Sequence, residues 1–410
     1  MTERLYVKDV YLKEAELTLA GLKEEKGLLK ASFTSTMFFP EGGGQLCDTG
    51  EIAGYEVIDV KEEKESGIIW HTLKAKEGAE PLEPGKSYTA RLNWKRRFEH
   101  MQMHCGEHVL SGAFFKLYGA VNKGFHMGDE YTTIDIALPE DSPYKEISPE
   151  MAAAAERLAN EAVWADLPVQ TIFFDTADEA RKLPVRKAIK FEEDISVVIV
   201  GDPTDPADCC ACCGTHPSSS GQIGIIKITH TEKYKGMYRC YVKCGFSAYE
   251  DYCEKQSIAG SLGLKYSCDP KDLEKTLAAA DAKTEEVYKK YSSLKGYYLR
   301  KTEEELREKL KQPKEKSIRI EYFEQFPADD LQTMLRKMED VITEPIALVS
   351  PREHTAVLAS SGAPDCGKII KECAPIYHGR GGGKPGIARA IFGNKEDLEL
   401  FLDLVEKHLR

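Results

Sequence analysis

His104-Cys105-Gly106-Glu107-His108 places two imidazoles four residues apart. In a helix that spacing sets both rings on one face, one turn apart, where they can share a metal ion. Alone the pair is weak, since most such pairs are surface or core side chains. A second pair strengthens it. Cys212-Cys213-Gly214-Thr215-His216 carries a thiol and an imidazole at the same separation, in a segment that Gly214 and Pro217 make a turn rather than a helix. Together they offer three imidazoles and a thiolate, the nitrogen and sulfur donors of a tetrahedral zinc site. The two pairs lie far apart in the chain, so a fold has to bring them together. Glu107, between the first two histidines, is a candidate general base, although its place in the helix can also turn it away from a shared metal.

Other segments could hold a ligand. Gly42, Gly43 and Gly44 follow Pro40 and precede Gln45, a loop that another backbone or a ligand can approach closely. Arg91, Lys95, Arg96 and Arg97 form a basic run just before the first histidine pair, and Arg181, Lys182, Arg186, Lys187 and Lys190 form another. Charge runs are usually solvated faces, yet a protein that reads RNA must meet phosphates. Gly379-Arg380-Gly381-Gly382-Gly383-Lys384, with Arg389, reads as a glycine-rich loop whose N–H groups and cations suit a phosphate. It is not a P-loop, because Pro385 stands where Ser or Thr would bind magnesium.

The elements that must position these residues fall into four stretches. Residues 1–92 alternate apolar and polar positions between Gly and Lys/Glu turns, which predicts a small β-barrel. Residues 93–250 mix helix and strand: a helix from Trp94 to about Leu117, a strand pair over 121–138, a helix over 148–164 with Ser148 as N-cap, and a buried strand over 196–200. Residues 251–316 form a helical connector. Within it, Val287, Tyr291, Leu294 and Tyr298 repeat at heptad-like spacing, which suits either a helix packed on a neighbour or a dimerising coiled coil, with a bend at Gly296. Residues 317–410 return to a compact α/β pattern. The whole is an α+β multidomain chain.

Composition bounds the rest. Of 410 residues, 42% are hydrophobic and 30% charged, which excludes a disordered chain. No apolar run is long enough to span a bilayer, and the first residues lack a signal core, so a cytoplasmic protein without a membrane partner is expected. A net charge of −12 disfavours non-specific binding to polyanions but not a local basic patch. Twelve cysteines in such a chain call for metal binding or buried thiols rather than a disulfide framework. Cys209, Cys210, Cys212 and Cys213 crowd as metal ligands do, whereas Cys240 and Cys244 sit in an alternating stretch and read as core thiols.

Thr36-x-Phe38-Phe39-Pro40-x-Gly42-Gly43-Gly44-Gln45, followed by Asp48-x-Gly50, then His104-x-x-x-His108 and Cys212-x-x-x-His216, resembles the editing domain of alanyl-tRNA synthetases and the free-standing AlaX-type trans-editing proteins. The segment from Gly379 to Pro385 resembles the DHH-associated C-terminal domain of the longer AlaX forms, so the likeness spans nearly the whole chain. It implies one zinc ion held by His104, His108, Cys212 and His216. Cys213 departs from the family pattern and is the first alternative to Cys212. The implied activity is a zinc-dependent aminoacyl-tRNA deacylase that hydrolyses tRNA(Ala) mischarged with serine or glycine. Catalysis would rest on Thr36, reading the serine hydroxyl, and on Glu107. Gly42, Gly43, Gly44, Gln45, Arg96, Arg97, Arg380 and Lys384 would contact substrate or tRNA, and a homodimer would form through the connector or the C-terminal domain. The competing readings are a non-catalytic tRNA- or nucleotide-binding protein with a structural zinc, and a zinc amidohydrolase acting on small molecules.

Overall fold

The alternating pattern of the first stretch closes on itself. Strands Glu14–Glu25, Leu28–Phe33, Ile68–Ala75, Tyr55–Glu63, Gly50–Ile52 and Ser87–Leu92 pair antiparallel in that spatial order, and the last returns to the first to make a closed barrel. Leu17, Leu19, Phe33, Val57, Ile69 and Ala90 fill it. The structure is a computed structural model that describes every residue except 26, 129–130, 190–191 and 313–316. It groups the chain into two units, Met1–Leu262 and Gly263–Arg410.

The barrel hands the chain directly to the helix Trp94–Tyr118. Asn93 caps it by accepting the Arg96 N–H, and Gly119 ends it in the left-handed conformation at φ 64°. Every residue from His100 to Phe114 is buried, so the helix is enclosed on all sides and its polar side chains must find internal partners. It packs on the helix Pro149–Trp164, which Ser148 caps through the Met151 N–H as its sequence predicts. It also packs on a four-stranded sheet ordered Ile226–Tyr234, Met237–Cys244, Thr132–Ala137 and Val121–Met127. Cys240 and Cys244 lie inside this layer, and burial pushes the Cys240 thiol up to about 12, so both are core thiols. A separate three-stranded sheet, Val169–Thr176, Glu193–Val200 and Asp208–Ala211, delivers the chain to Cys212.

In the second unit the helix Leu273–Leu310 runs unbroken through Gly296; the expected bend is absent because one glycine among strong helix formers costs only about 1 kcal/mol. Its Val287, Tyr291, Leu294 and Tyr298 are all more than half exposed. A five-stranded sheet follows, ordered Arg319–Tyr322, Ile346–Ser350, Thr355–Ala359, Ile387–Ile391 and Arg380–Lys384. The glycine-rich segment expected as a loop is therefore an edge strand. Its glycines serve close packing: a Cβ on Gly381 would lie 2.0 Å from the Arg389 carbonyl oxygen, and one on Gly383 2.4 Å from Ala388 Cα. Arg389 is engaged by Asp329 at 2.6 Å, while Arg380 and Lys384 stay exposed. Among the described residues no helix is long and apolar enough to cross a membrane.

Candidate metal centre

His104 and His108 project from one face of the enclosed helix toward the turn that follows Asp208–Ala211. There His104, His108, Cys212 and His216 converge with one donor atom each, all within 4.8 Å of one another. Cys212 Sγ lies 3.3 Å from His104 Nε2 and 3.7 Å from His216 Nε2. A tetrahedral zinc with bonds of about 2.0–2.3 Å separates its donors by about 3.3–3.6 Å, so the set could close on such an ion with little movement. All three histidines are at most 5% exposed.

The hydrogen bonds behind the rings fix which nitrogen faces the cluster. The Thr215 N–H donates to Gln45 Oε1 at 3.0 Å, so this atom is the amide oxygen. It lies 2.8 Å from His104 Nδ1, which must then carry the hydrogen and leave the Nε2 lone pair free. Asp208 Oδ2 sits 2.7 Å from His108 Nδ1 and imposes the same tautomer, while Arg186 Nε holds the other carboxylate oxygen at 2.6 Å. Such outer partners orient metal-binding rings and raise their basicity. His216 differs: its buried Nδ1 has no hydrogen-bond partner among the described residues. Phe125 stacks on His104 with ring centroids 5.0 Å apart.

Burial opposes ionisation of Cys212, but the His104, His216 and His108 rings and the hydrogen bond to His104 outweigh it and hold the thiol well below its usual range. For His108 the loss of solvent is likewise overcome, here by the Cys212 thiolate and Asp208, which raise it well above an ordinary imidazole. Cys213 points elsewhere. Its Sγ would lie 3.2 Å from a Cβ on Gly43, on the far side of the turn, and it takes no part in the cluster.

A cavity of about 300 Å³ opens on His104, His108 and Cys212, with Glu107, Asn122 and Lys123 also on its wall. Glu107 thus reaches the wall of the same cavity. Its Oε1 accepts from Ser111 Oγ at 2.7 Å and from Asn122 Nδ2, and Oε2 has no hydrogen-bond partner among the described residues. Gly43 lines the same cavity, and Gly44, at φ 86°, is pressed against Phe125 with a Cβ clearance of only 2.4 Å. Gly42 closes the loop through reciprocal backbone hydrogen bonds with Gln45.

Several expected contacts are placed elsewhere. Gln45 is fully buried and orients His104 instead of touching a substrate. Arg97 does not meet phosphates: it is 0% exposed, with Nε 3.0 Å from both oxygens of Asp48, Nη1 on the Val10 carbonyl and Nη2 on the Met37 carbonyl. Arg96 is half-buried and donates from Nε to the Cys47 carbonyl at 3.2 Å. In the second basic run, Arg186 is bound to Asp208 and Arg181 to Asp178 and Glu192, while Lys190 lies outside the described residues.

Thr36 is 0% exposed, on the short strand Ser35–Thr36 that pairs with Glu3–Arg4 beside the barrel. His71 Nδ1 sits 3.2 Å from the Ala31 carbonyl, which can only accept, so Nε2 carries the lone pair and takes the Thr36 hydroxyl at 2.8 Å. The Phe38 N–H in turn donates to Thr36 Oγ1 at 3.1 Å. Burial keeps His71 neutral, with its pKa pushed down to about 4. Replacing Thr36 by Val should therefore lower stability by about 1–3 kcal/mol, because His71 and the Phe38 N–H lose their partner, and leave metal affinity unchanged. Gln45→Leu should do the reverse where metal is concerned, weakening it about 10–100-fold. Chelator competition and denaturant titration on the two variants separate these outcomes.

Sequence reasoning missed Asp208, Asn122 and the outer role of Gln45. Asp208 stands directly before the cysteine cluster, and its lone carboxylate among thiols was the available signal.

Known proteins resemble this chain in sequence. The family described as the threonyl and alanyl tRNA synthetase second additional domain matches residues 195–241, which contain Cys212 and His216, and the DHHA1 domain matches residues 315–410. The alanyl-tRNA editing protein AlaX-L of Pyrococcus horikoshii is 29% identical over 429 aligned positions that cover 100% of both chains. The alanine–tRNA ligase of Pyrococcus abyssi is 29% identical over 98% of this chain but only 44% of its own length. That of Methanosarcina barkeri is 28% identical over 86% of this chain and 39% of its own. The chain thus spans less than half the length of these ligases.

Proposed function

We propose, from a chain that resembles an AlaX-type alanyl-tRNA editing protein along its full length and carries the synthetase second additional domain and DHHA1 domain, that it hydrolyses the ester of tRNA(Ala) mischarged with serine. The convergence of His104, His108, Cys212 and His216, three of them on the wall of a cavity that Glu107 also lines, is the observation that carries this reading. Three histidines and a thiolate fit zinc by donor chemistry, and the fixed Nε2 lone pairs of His104 and His108 fit it by orientation. A zinc ion bound there supplies Lewis acidity to an ester carbonyl or to water. Glu107, held through Oε1, keeps Oε2 to accept the proton of the attacking water. Lys123, on the same wall, suits a backbone phosphate of the acceptor strand.

Serine is alanine plus a hydroxyl, so discrimination needs a buried polar group that the hydroxyl satisfies and a methyl leaves unpaired; such sites reject the deoxy analogue by about 10⁴-fold or more. Among the described residues Asn122 Oδ1 accepts the Gly124 N–H alone, at 2.9 Å, and Asn122 on the cavity wall suits this role beside Thr36, the hydroxyl reader the family resemblance implies. Arg380 and Lys384, exposed on the edge strand, suit phosphates further along the tRNA, and the exposed stripe on Leu273–Leu310 suits a homodimer. The full set of four protein donors also favours a second reading, a structural zinc in a tRNA-binding protein. Incubation with seryl-, glycyl- and alanyl-tRNA(Ala) decides between them. Release of serine, with alanine spared, supports editing; binding of all three without release supports the structural zinc.

A further inference from the structure

The backbone N–H of Arg186 donates to the Cys209 carbonyl at 2.8 Å, which docks this residue on the strand Asp208–Ala211 that leads into Cys212. Arg186 is only 8% exposed and stands between two cavities. One, of about 220 Å³, is lined by Asp208 but by neither Glu107 nor any of the four converging donors. The other is the cavity of about 300 Å³ that Glu107, His104, His108 and Cys212 share, and Asp208 is not on its wall.

A guanidinium is a rigid planar fork that can donate from more than one edge. In Arg186 the edge made by Nε and Nη2 is occupied by Asp208, at 2.6 Å to Oδ1 and 3.4 Å to Oδ2. Nη1 stands on the edge turned away from that carboxylate and has no hydrogen-bond or ion-pair partner among the described residues. Asp208 marks the side of the smaller cavity, so the unoccupied edge is turned toward the larger one. Burial opposes the charge of Arg186, but Asp208 and Glu107 outweigh it and hold the guanidinium ionised. Such a group does not give up its proton, so it serves as neither acid nor base; it can only donate N–H to negative charge. Lys123 on the same wall is exposed, and water screens it. Arg186 is buried and clamped, as stabilisation of a charge that develops during reaction requires.

We propose that Arg186 is a catalytic residue, whose Nη1 donates to the carbonyl oxygen of the scissile ester as that oxygen becomes an oxyanion. This assignment rests on the editing reading above and adds to it the group that meets the negative charge. The oxygen of the attacking water bonds to the carbonyl carbon, and its proton passes to Glu107. The electron pair of the C=O π bond moves onto the oxygen that faces Nη1. As that pair re-forms the double bond, the bond from carbon to the ribose oxygen breaks, and Glu107 gives the proton to the ribose oxygen. Free serine and a ribose hydroxyl result, with Glu107 again a carboxylate.

The test uses the full chain and Arg186→Lys, which keeps one cation for Asp208 but lacks the second edge of the fork. On seryl-tRNA(Ala), kcat should fall about 10²–10³-fold, the usual cost of removing one oxyanion donor, while KM, zinc content and Tm hold their wild-type values. A raised KM with unchanged kcat would make Arg186 a ground-state contact and overturn the assignment. So would a loss of zinc that accounts for the lost rate and recurs in Asp208→Asn, because Arg186 would then act through His108. If the lysine variant does not fold, Arg186→Ala with added guanidinium takes its place: recovery of the rate supports the assignment, and no recovery overturns it. A wild-type rate in Arg186→Lys overturns the assignment and leaves the editing reading intact. Failure of the wild type itself to release serine sinks the editing reading and the assignment with it.

Discussion

Substitution of Cys212 by alanine should remove the bound metal and the ester hydrolysis together, and substitution of Cys213 should remove neither. Cys212 Sγ stands within 3.3 and 3.7 Å of two imidazole nitrogens, whereas Cys213 lies beside Gly43 outside the cluster. Loss of an outer hydrogen-bond partner costs metal affinity about 10–100-fold, and loss of a donor itself must cost more. Loss of the Sγ donor would also leave three buried rings around a void. Metal content per chain and the rate of serine release, measured on both variants, give the comparison. Full metal in Cys212→Ala with depletion in Cys213→Ala would transfer the ligand role to the neighbouring thiol.

The second large effect lies outside the centre. Arg97→Ala should destabilise the fold by about 3–5 kcal/mol, the usual cost of stranding one member of a buried ion pair. The Asp48 carboxylate left behind is 0% exposed and would retain only the Phe39 N–H, 2.6 Å away. Replacing both partners by apolar residues should not rescue the protein as it does in simpler pairs, because Val10, Met37 and Phe39 would each lose a backbone partner as well. Urea titration of the single and double variants reads this directly. Loss of tRNA affinity with an unchanged midpoint would instead return Arg97 to the surface role its basic neighbours suggest.

How far the sequence reaches is clear from these two cases. The donor set is legible because each half is a local pattern, His-x-x-x-His on a helix and Cys-x-x-x-His in a turn, and four donors of two kinds exceed coincidence. The barrel, the enclosed helix and the Ser148 cap follow from periodicity and capping for the same reason. Arg97 was misread because a basic run looks alike whether it faces water or a carboxylate brought in from the barrel. A signal existed: Arg97, His100 or Met101, His104 and His108 share one helical stripe, and that stripe is buried. The partners of Thr36 and Gln45, His71 and His104, are likewise set by tertiary contacts that spacing does not encode. The glycine-rich tail segment was read by flexibility, but its glycines answer to the crowding of a hairpin strand.

The most direct test of the account measures zinc content and serine release from seryl-tRNA(Ala) on the same preparation, before and after chelation and after zinc is restored. One ion per chain, with hydrolysis abolished by its removal and recovered on its return, is the predicted result. Undiminished hydrolysis by metal-free protein would contradict it.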